Sequence, residues 1–182
     1  GTAVRYASLG TVEFLVDGDR IAFLEVNPRL QVEHTVTEEV TGVDLVKAQL
    51  QISAGAAIGD GACGIPPQEA ISLSGHAIQC RVTTENPENG FTPDHGRITT
   101  YHSPAGFGIR LDAGTAYPGA IVTPFYDSLL AKVTVWGNSS LEARQRMVRA
   151  LGEFRVGGVA ANLSFLHNVI THPAFASGAC TT

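Results

Sequence analysis

Two apolar segments joined by a tight turn constrain the fold of this chain more than any other feature. Residues 11–16 (TVEFLV) and 21–26 (IAFLEV) flank the turn sequence DGDR at 17–20, and Asp-Gly between two apolar runs is a strong signal for a β-hairpin. The apolar run at 21–24 predicts a buried strand, which breaks off at the Asn-Pro dipeptide at 27–28. The chain is therefore expected to fold around a hairpin whose second strand ends at a proline.

A dense run of polar side chains accompanies the end of this strand. The stretch from residue 25 to residue 34 carries two carboxylates, an arginine, two amides and a histidine. A surface loop is polar, but it rarely needs so many charged and amide groups side by side. We interpret this run as one wall of an active site. Its members are Glu25, Asn27, Arg29, Gln31, Glu33 and His34.

The register of the hairpin decides whether Glu13 joins this run. Side chains alternate between the two faces of a strand, so Glu25 and Asn27 point the same way. A three-residue loop would pair Glu13 with Glu25 and bring their Cβ atoms to about 5 Å. A two-residue loop, which Asp-Gly favours, would place the two glutamates on opposite faces. If they pair, the carboxylates and an amide oxygen form a site suited to Mg²⁺ or Mn²⁺; the alternative is a solvent-facing hairpin with scattered charges.

Length and composition indicate a globular protein without nucleic-acid or membrane character. With 182 residues, 44% hydrophobic and 16% charged, the chain is large enough for one sizeable core or two small ones. A net charge of −5 argues against a nucleic-acid binder, and the apolar runs are too short to span a membrane. Three cysteines without CxxC spacing favour a reducing compartment. Cys80, within an apolar strand, is expected to be a core residue.

The hydrophobic pattern predicts an α+β fold in two pieces. The first piece continues with a helix over 43–54, for which Thr41 and Asp44 are the candidate capping box. A stretch rich in Gly, Pro and Ala, 55–70, predicts a boundary loop. In the second piece we predict strands at 74–84, 96–102, 108–112 and 129–136, a helix capped by Ser139 with the apolar stripe Ala143, Met147, Ala150, Leu151 and Phe154, and a helix starting at Asn162.

Several of these motifs together resemble the biotin carboxylases. GTVEFLV and FLEVNPRLQVEHTVTEEVTGVDLVKAQLQISAG are similar to their ATP-grasp core. Other ATP-grasp ligases share Glu-Val-Asn-Pro-Arg, but the continuation QVEH at 31–34 is that of the biotin carboxylases. GHAIQCRVTTENP, GRITTYHSPAGFGIRLDAGTAYPGAIVTPFYDSLLAKVTVWG and EFRVGGVAANLSFL resemble the C-terminal part of the same fold. The resemblance implies the C-terminal part of an ATP-grasp domain at 1–70, followed by a biotin carboxylase C-terminal domain at 71–182.

The resemblance implies a nucleotide and metal site on the hairpin. Glu13, Glu25 and Asn27 match the residues that hold the Mg²⁺ or Mn²⁺ ions bridging the ATP phosphates. Leu15 matches a position near the adenine, so Glu13, Leu15 and Glu25 are the expected ATP-binding residues.

The resemblance places bicarbonate on the segment that follows the hairpin. Arg29, Gln31 and the backbone of Val32 match its binding residues, and Glu33 matches the general base. Bicarbonate is a weak acid, so a lone carboxylate removes its proton with difficulty, and an adjacent guanidinium stabilises the dianion that forms. His34 is expected to hydrogen-bond within the loop rather than take part in the reaction.

The second piece carries the expected biotin-binding residue, Arg81. Strand alternation places Arg81 on the face opposite to Ile78, Cys80 and Val82, so it points away from the core. By resemblance, Arg81 faces the ureido oxygen of biotin and Asp127 lies nearby. Two further residues match positions near the family's subunit contact, namely Phe107 and Arg110.

The activity implied by the resemblance is ATP- and bicarbonate-dependent carboxylation of biotin through carboxyphosphate. Among biotin-dependent carboxylases, the sequence is most similar to the members that carboxylate pyruvate. The alternatives are a biotin carboxylase subunit for acetyl-CoA or propionyl-CoA, a noncatalytic dimerisation module that keeps the fold, or another ATP-grasp ligase. The expected partners are a biotinylated carrier domain, a carboxyltransferase domain and further copies in a homo-oligomer, in the cytoplasm or, in a eukaryote, the mitochondrial matrix.

Lysine is scarce for an enzyme of this kind. The chain has two lysines, Lys47 and Lys132, against ten arginines. An ATP-grasp enzyme covers the phosphates with lysines and a glycine-rich lid, which in this family precede the position matching Gly1. By itself, the chain is therefore expected to be inactive.

Overall fold

A computed structural model describes residues 2–114 and 116–180, without the side chain of Thr2. The chain divides into two compact units, Gly1–Leu73 and Ser74–Thr182. Helices and strands occur in both units, which confirms the predicted α+β class. Each unit contains one of the two groups of predicted site residues.

The first unit contains a β-hairpin followed by two helices. Gly18 adopts φ of +56° in the turn, a conformation that glycine tolerates and that tight hairpin loops require. Asp17 pairs with Arg20, so the loop has two residues, Gly18 and Asp19, with glycine at the first loop position. The elements are β1 (Thr11–Asp17), β2 (Arg20–Asn27), α1 (His34–Thr41) and α2 (Leu45–Ser53).

Helix α2 begins at a different cap from the predicted one. Its N-cap is Asp44, whose carboxylate accepts a hydrogen bond from the Lys47 N–H at 2.8 Å. Thr41 instead ends α1, which the sequence did not predict, and Gly42 terminates that helix with φ of +71°. The predicted capping box of Thr41 with Asp44 is therefore wrong, because Thr41 already belongs to a preceding helix.

The large apolar side chains of the hairpin remain substantially exposed. The prediction of a buried strand at 21–24 is wrong, since Ile21 is 70% exposed and Phe23 is 62% exposed. Phe14 packs edge to face against Phe23, with 6.1 Å between the ring centroids. Two strands alone enclose no interior, so their side chains become buried only when another layer packs against them.

The second unit is built on a three-stranded antiparallel sheet. Its strand order is β3-β10-β8, so β3 lies at an edge of this sheet. Helix α3 packs against β10 and β3. The elements are β3 (His76–Thr83), β4 (Glu85–Asn86), β5 (Thr92–Pro93), β6 (Gly96–Arg97), β7 (Thr100–His102), β8 (Ile109–Ala113), β9 (Ile121–Val122), β10 (Leu129–Gly137), α3 (Ser140–Glu153), β11 (Arg155–Gly157), α4 (Leu163–Thr171) and α5 (Pro173–Ser177).

The core of the second unit lies between this sheet and α3. Strand β3 contributes Cys80 and Val82, which are 5% and 0% exposed. Burial raises the pKa of the Cys80 thiol to about 12, so the thiol stays protonated at physiological pH and acts as a small apolar group. The predicted stripe on α3 is confirmed, since Ala143, Met147, Ala150, Leu151 and Phe154 are all buried.

Helix α3 starts at the predicted residue. The Ser139 hydroxyl caps it by accepting a hydrogen bond from the Glu142 N–H at 3.2 Å. The Glu142 carboxylate accepts a return bond from the Asn138 N–H at 2.8 Å, and this backbone bond lowers the pKa of Glu142. The helix start follows from capping chemistry that is local in sequence.

The predicted strand at 96–102 is divided into two. Strand β6 pairs with β9, whereas β7 pairs with β11 in a different sheet. Ile98 and Thr99 lie between them, and Ile98 is buried at 1% exposure. The sequence predicted one strand, but its two halves pair with different strands and form two separate elements. Among the described residues, no helix combines the length and apolar character needed to cross a membrane.

Candidate active site

Glu13 and Glu25 form the centre of the polar cluster on the hairpin. They are paired across β1 and β2 in the antiparallel register. The amide nitrogen of Asn27 donates a hydrogen bond to each of them, at 2.8 Å to Glu13 Oε1 and 2.8 Å to Glu25 Oε1. Two carboxylates directly opposite each other repel, and the shared amide donor offsets part of that repulsion.

A β-bulge makes this pairing compatible with the two-residue turn. From the turn, the ladder runs regularly to Phe14 opposite Phe23. It then shifts by one residue between Phe14 and Glu13, so that Leu24 is the extra residue on β2. Without the shift, Glu13 would lie opposite Leu24 and Glu25 would point to the other face. The sequence left open whether a two-residue loop would separate the glutamates or a longer loop would pair them. The loop has two residues, and the bulge nevertheless pairs Glu13 with Glu25.

Gln31 and Arg29 extend the cluster beyond the end of β2. Gln31 Nε2 donates to Glu13 Oε1 at 3.2 Å, and its Oε1 atom is buried without a hydrogen-bond partner among the described residues. Arg29 makes two longer bonds, from Nη2 to Asn27 Oδ1 at 3.5 Å and from Nη1 to the Leu30 carbonyl at 3.3 Å. Arg29 is exposed, so its guanidinium is available to a small anion.

Val32 and Glu33 lie in the turn that leads into α1. Glu33 is the N-cap residue of α1, but its side chain does not cap the helix. Glu33 is exposed to solvent, in the same turn as Val32. The structure thus places the four residues predicted for bicarbonate on one continuous segment, 29–33.

His34 makes the predicted hydrogen-bond contact within the loop. Its Nδ1 atom lies 2.6 Å from the Gln31 carbonyl oxygen, and its Nε2 atom lies 3.8 Å from Glu38 Oε2. Glu38 is 8% exposed and its other oxygen accepts the Leu45 N–H at 2.8 Å. Sequence analysis did not single out Glu38, although its spacing of four residues from His34 on one helix was the available signal.

The donor set of the hairpin fits a hard divalent cation. Within the described residues, no group of three or more His, Cys, Asp and Glu side chains could hold a metal ion. The cluster supplies two carboxylates and one amide, and Mg²⁺ is commonly bound by one or two carboxylates together with waters and substrate phosphates.

Leu15 lies two residues after Glu13 on β1, so strand alternation places both side chains on one face of that strand. The Leu15 residue is 52% exposed.

Arg81 lies on β3, the edge strand of the second unit. Its neighbours Cys80 and Val82 are buried in the core, whereas Arg81 is exposed, as alternation predicted. Lys132 on β10 is its cross-strand partner. Asp127 lies just before β10, and its Oδ1 atom accepts the Leu129 N–H at 3.0 Å. Because Leu129 pairs with Thr83, the Asp127 loop adjoins the end of β3 that carries Arg81.

Phe107 and Arg110 lie at the other edge of the three-stranded sheet from Arg81. Phe107 precedes β8 and Arg110 lies within it. The Phe107 ring is 82% exposed, and the Arg146 guanidinium lies 5.6 Å from its centroid. Arg110 forms a forked ion pair with Asp112, with bonds of 2.8 and 3.0 Å. An exposed aromatic ring beside paired charges suits a contact between subunits, which stays a prediction here.

Two family descriptions match the chain. Residues 79–182 match the family described as "Biotin carboxylase C-terminal domain". Residues 2–60 match the family described as "Carbamoyl-phosphate synthase L chain, ATP binding domain". Among curated relatives, the pyruvate carboxylase of Aspergillus niger is 52% identical over 181 residues, which cover 99% of this chain and 15% of the relative. The pyruvate carboxylase of Staphylococcus aureus is 51% identical over 179 residues, or 98% of this chain and 16% of the relative.

Solved structures give a consistent result. A complete multifunctional pyruvate carboxylase from Rhizobium etli matches with a TM-score of 0.92 and 61% identity, over 96% of this chain and 17% of that one. The biotin carboxylase domain dimer of Hydrogenobacter thermophilus 2-oxoglutarate carboxylase, in complex with MgADP, ADP and bicarbonate, matches with a TM-score of 0.88 and 41% identity, over 94% and 36%. The present chain thus spans a small part of the relatives it matches, and the resemblance inferred from the motifs is confirmed.

Proposed function

Because the chain belongs to the biotin carboxylase C-terminal domain family, we propose that it forms part of an ATP-dependent biotin carboxylase within a carboxylase that acts on pyruvate. Residues 1–70 are assigned to the C-terminal part of the ATP-grasp domain and 71–182 to the biotin carboxylase C-terminal domain. The reaction is carboxylation of biotin with bicarbonate, driven by ATP cleavage through carboxyphosphate.

The observation that carries this proposal is the Glu13–Glu25 pair. Two carboxylates facing each other across a hairpin destabilise it unless a cation or donors compensate. The donors described for the pair are neutral amides, one Asn27 nitrogen shared by both glutamates and the Gln31 nitrogen on Glu13. A hard divalent cation bound to ATP phosphates would compensate the charge fully, so the pair has a clear use in a nucleotide site and none in a purely structural hairpin.

In this proposal, Glu13, Glu25 and Asn27 hold the metal ions that accompany ATP. Rotation of the Asn27 amide about its terminal bond exchanges the nitrogen for the oxygen, which turns a hydrogen-bond donor into a metal ligand. When bound, a divalent metal would offset the charge on the transferring phosphoryl group. Leu15, on the same face of β1 as Glu13, offers apolar surface to the adenine.

The segment 29–33 binds and activates bicarbonate. Arg29 supplies a cation with two parallel donors, which matches a planar carboxylate-like anion. Gln31, on the same segment, is assigned to binding the anion, and the single hydroxyl proton of bicarbonate is directed at Glu33. Glu33 then removes that proton as general base, and Arg29 stabilises the negative charge that develops. The dianion attacks the γ-phosphorus of ATP, the bond from that phosphorus to the β-phosphate oxygen breaks, and ADP leaves carboxyphosphate behind.

Arg81 serves the second half of the reaction. Carboxyphosphate breaks down to CO₂ and phosphate, and the phosphate takes the ureido proton of biotin. The negative charge left on the ureido oxygen is then stabilised by a fixed guanidinium. The exposed position of Arg81 on an edge strand is consistent with a substrate delivered from outside on a carrier domain. Asp127, in the loop that adjoins the same strand end, is the proposed neighbour of this site.

Similarity to two pyruvate carboxylases supports pyruvate as the final acceptor. In this proposal, a carboxyltransferase domain elsewhere in the protein makes that choice, and the protein works as a homo-oligomer. The alternative acceptors, acetyl-CoA and propionyl-CoA, have no similar support from these relatives.

The test is an assay of the full-length protein that contains this chain. Bicarbonate-dependent ATP cleavage that free biotin stimulates, together with incorporation of labelled bicarbonate into pyruvate, is the expected result. Acetyl-CoA and propionyl-CoA serve as matched acceptors and are expected to remain unlabelled. Absence of bicarbonate-dependent ATP cleavage in the folded protein would overturn the proposed function.

A further inference from the structure

Asn162 stands at the start of α4 but does not cap that helix. It is the N-cap residue, yet among the described residues its side chain makes no capping hydrogen bond. The N-cap residues of α2 and α3, Asp44 and Ser139, both accept a bond from their own helix. Asparagine is among the strongest capping residues, so an Asn162 side chain directed elsewhere indicates another requirement at this position.

The Asn162 amide binds the free edge of β3 instead. Its Oδ1 atom accepts the Thr83 N–H at 3.0 Å, and its Nδ2 atom donates to the Arg81 carbonyl at 3.0 Å. The backbone N–H of Asn162 adds a third bond, to the Thr83 carbonyl at 3.2 Å. The side-chain amide thus behaves like a peptide group of a neighbouring strand, opposite the residue between Arg81 and Thr83.

This arrangement is buried and is supported by a second link. Asn162 is 7% exposed, so each of its polar atoms needs a hydrogen-bond partner from the protein. Water cannot easily take the place of such a partner at a buried position. Nearby, Asp94 accepts the Ala160 N–H at 2.7 Å and donates its own N–H to the Thr84 carbonyl at 2.6 Å. The segment that enters α4 is therefore fastened to the end of β3 at two places.

We propose that Asn162 is a positioning residue for biotin carboxylation, which acts by fixing the backbone of Arg81. An edge strand lacks a partner on one side, and a long side chain amplifies any rotation of its own backbone. Asn162 supplies the missing partner at the residue whose guanidinium must meet the biotin oxygen. This inference rests on the role of Arg81 in the proposed function.

The test compares two half-reactions in the full-length enzyme. Asn162→Asp keeps the size of the side chain and an acceptor for the Thr83 N–H, but it cannot donate to the Arg81 carbonyl. We expect kcat/KM for free biotin to fall roughly 10-fold to 100-fold, the usual cost of a small misplacement. Bicarbonate-dependent ATP cleavage without biotin should stay within about twofold of wild type, since the side-chain bonds described for Asn162 are made to Arg81 and Thr83, which are not assigned to that step. Asn168→Asp, the same change at an exposed position of α4, is the matched control.

A purely structural role would give a different pattern. Parallel loss of both half-reactions in Asn162→Asp, or wild-type values for both, would overturn the inference. If Asn162→Asp does not yield folded enzyme, Asn162→Ser adds no charge at this position but is too short to bridge both partners, and the same selective loss is expected.

Arg81→Ala separates this inference from the proposed function. If Arg81→Ala leaves biotin carboxylation intact, the proposed role of Arg81 fails and the inference fails with it. If Arg81→Ala is selectively defective while Asn162→Asp is normal, only the inference fails. In the double variant we expect no loss beyond that of Arg81→Ala, because Asn162 acts through Arg81; an additive loss would contradict the proposal.

Discussion

Glu13 lies directly opposite Glu25 on the neighbouring strand, although the two-residue turn of the hairpin would by itself pair Glu13 with Leu24. The bulge at Leu24 allows the two-residue turn and the Glu13–Glu25 pairing to occur in the same hairpin. A bulge interrupts the ladder locally, and the arrangement also brings two like charges together. Both features weaken the hairpin, and their combination supports the proposed binding site, because sites give up some stability for function.

The metal assignment predicts the effect of changing one carboxylate of this pair. In the full-length enzyme, Glu25→Gln should raise the Mg²⁺ concentration needed for half-maximal ATP cleavage roughly tenfold or more, because a charged ligand is replaced by a neutral one. Asp19→Asn, the same kind of change in the turn of the hairpin, should leave the Mg²⁺ dependence unchanged. Equal Mg²⁺ curves for Glu25→Gln and wild type would remove this residue from the metal site.

The assignment of Glu33 as general base predicts a large rate effect. Glu33→Gln keeps the size of the side chain but cannot take a proton, so bicarbonate-dependent ATP cleavage should fall roughly 10² to 10⁴-fold. The affinity for Mg-ATP should change little, since that is assigned to the hairpin. Steady-state ATP hydrolysis measured against bicarbonate tests this, with Glu69→Gln, an exposed residue of the same unit, as control. A rate within a few-fold of wild type would make Glu33 a structural residue of the turn.

Arg29 is predicted to contribute to both binding and rate. Arg29→Ala should lower ATP cleavage about as much as the loss of the base, roughly 10² to 10⁴-fold, and should also raise KM for bicarbonate because the cation that binds the anion is lost. The double variant with Glu33→Gln should be little worse than either single variant, since the two residues serve one proton transfer. Multiplicative losses in the double variant would show that they act in separate steps.

Arg81 is predicted to act after ATP cleavage. In the full-length enzyme, Arg81→Ala should lower carboxylation of free biotin far more than bicarbonate-dependent ATP cleavage, because its proposed contact is with biotin. Arg149→Ala breaks an exposed ion pair with Glu153, which is worth little, and serves as control. A parallel decline of both activities in Arg81→Ala would assign the residue to the ATP or bicarbonate site instead.

The three cysteines are predicted to differ in reactivity. Burial raises the pKa of Cys80 to about 12, and Cys63 is 2% exposed, whereas Cys180 is exposed. At pH 8, iodoacetamide should therefore modify Cys180 first in the native 182-residue chain, because alkylation needs an accessible thiolate. Mass spectrometry of the labelled peptides measures this, and labelling in denaturant should reach all three. Rapid modification of native Cys80 would contradict its burial.

Local chemistry in the sequence was enough to predict much of the second unit. The Ser139 cap and the five-residue stripe on α3 are determined by neighbours within a few residues, since a helix is built from local hydrogen bonds. The alternation on β3 likewise placed Cys80 inside and Arg81 outside, because side chains of a strand alternate regardless of its partner.

The short elements depended on partners distant in sequence. The strand predicted at 96–102 is two strands, because each half pairs with a different segment. Helix α1 was missed, since its eight residues carry few apolar positions with helical spacing. Because α1 was not predicted, its last residue, Thr41, was wrongly predicted to form the capping box of the following helix with Asp44.

The sequence by itself determined which residues could form the site: the hairpin, the polar segment after it, and Arg81 on its strand, together with the family to which they belong. Only the tertiary structure decided that Glu13 faces Glu25, because strand register depends on a bulge for which no local signal exists. It alone showed that Asn162 binds the edge of β3 rather than its own helix. Hydrogen bonds between segments some 80 residues apart are chosen by packing, and sequence patterns record only the preferences of each segment alone.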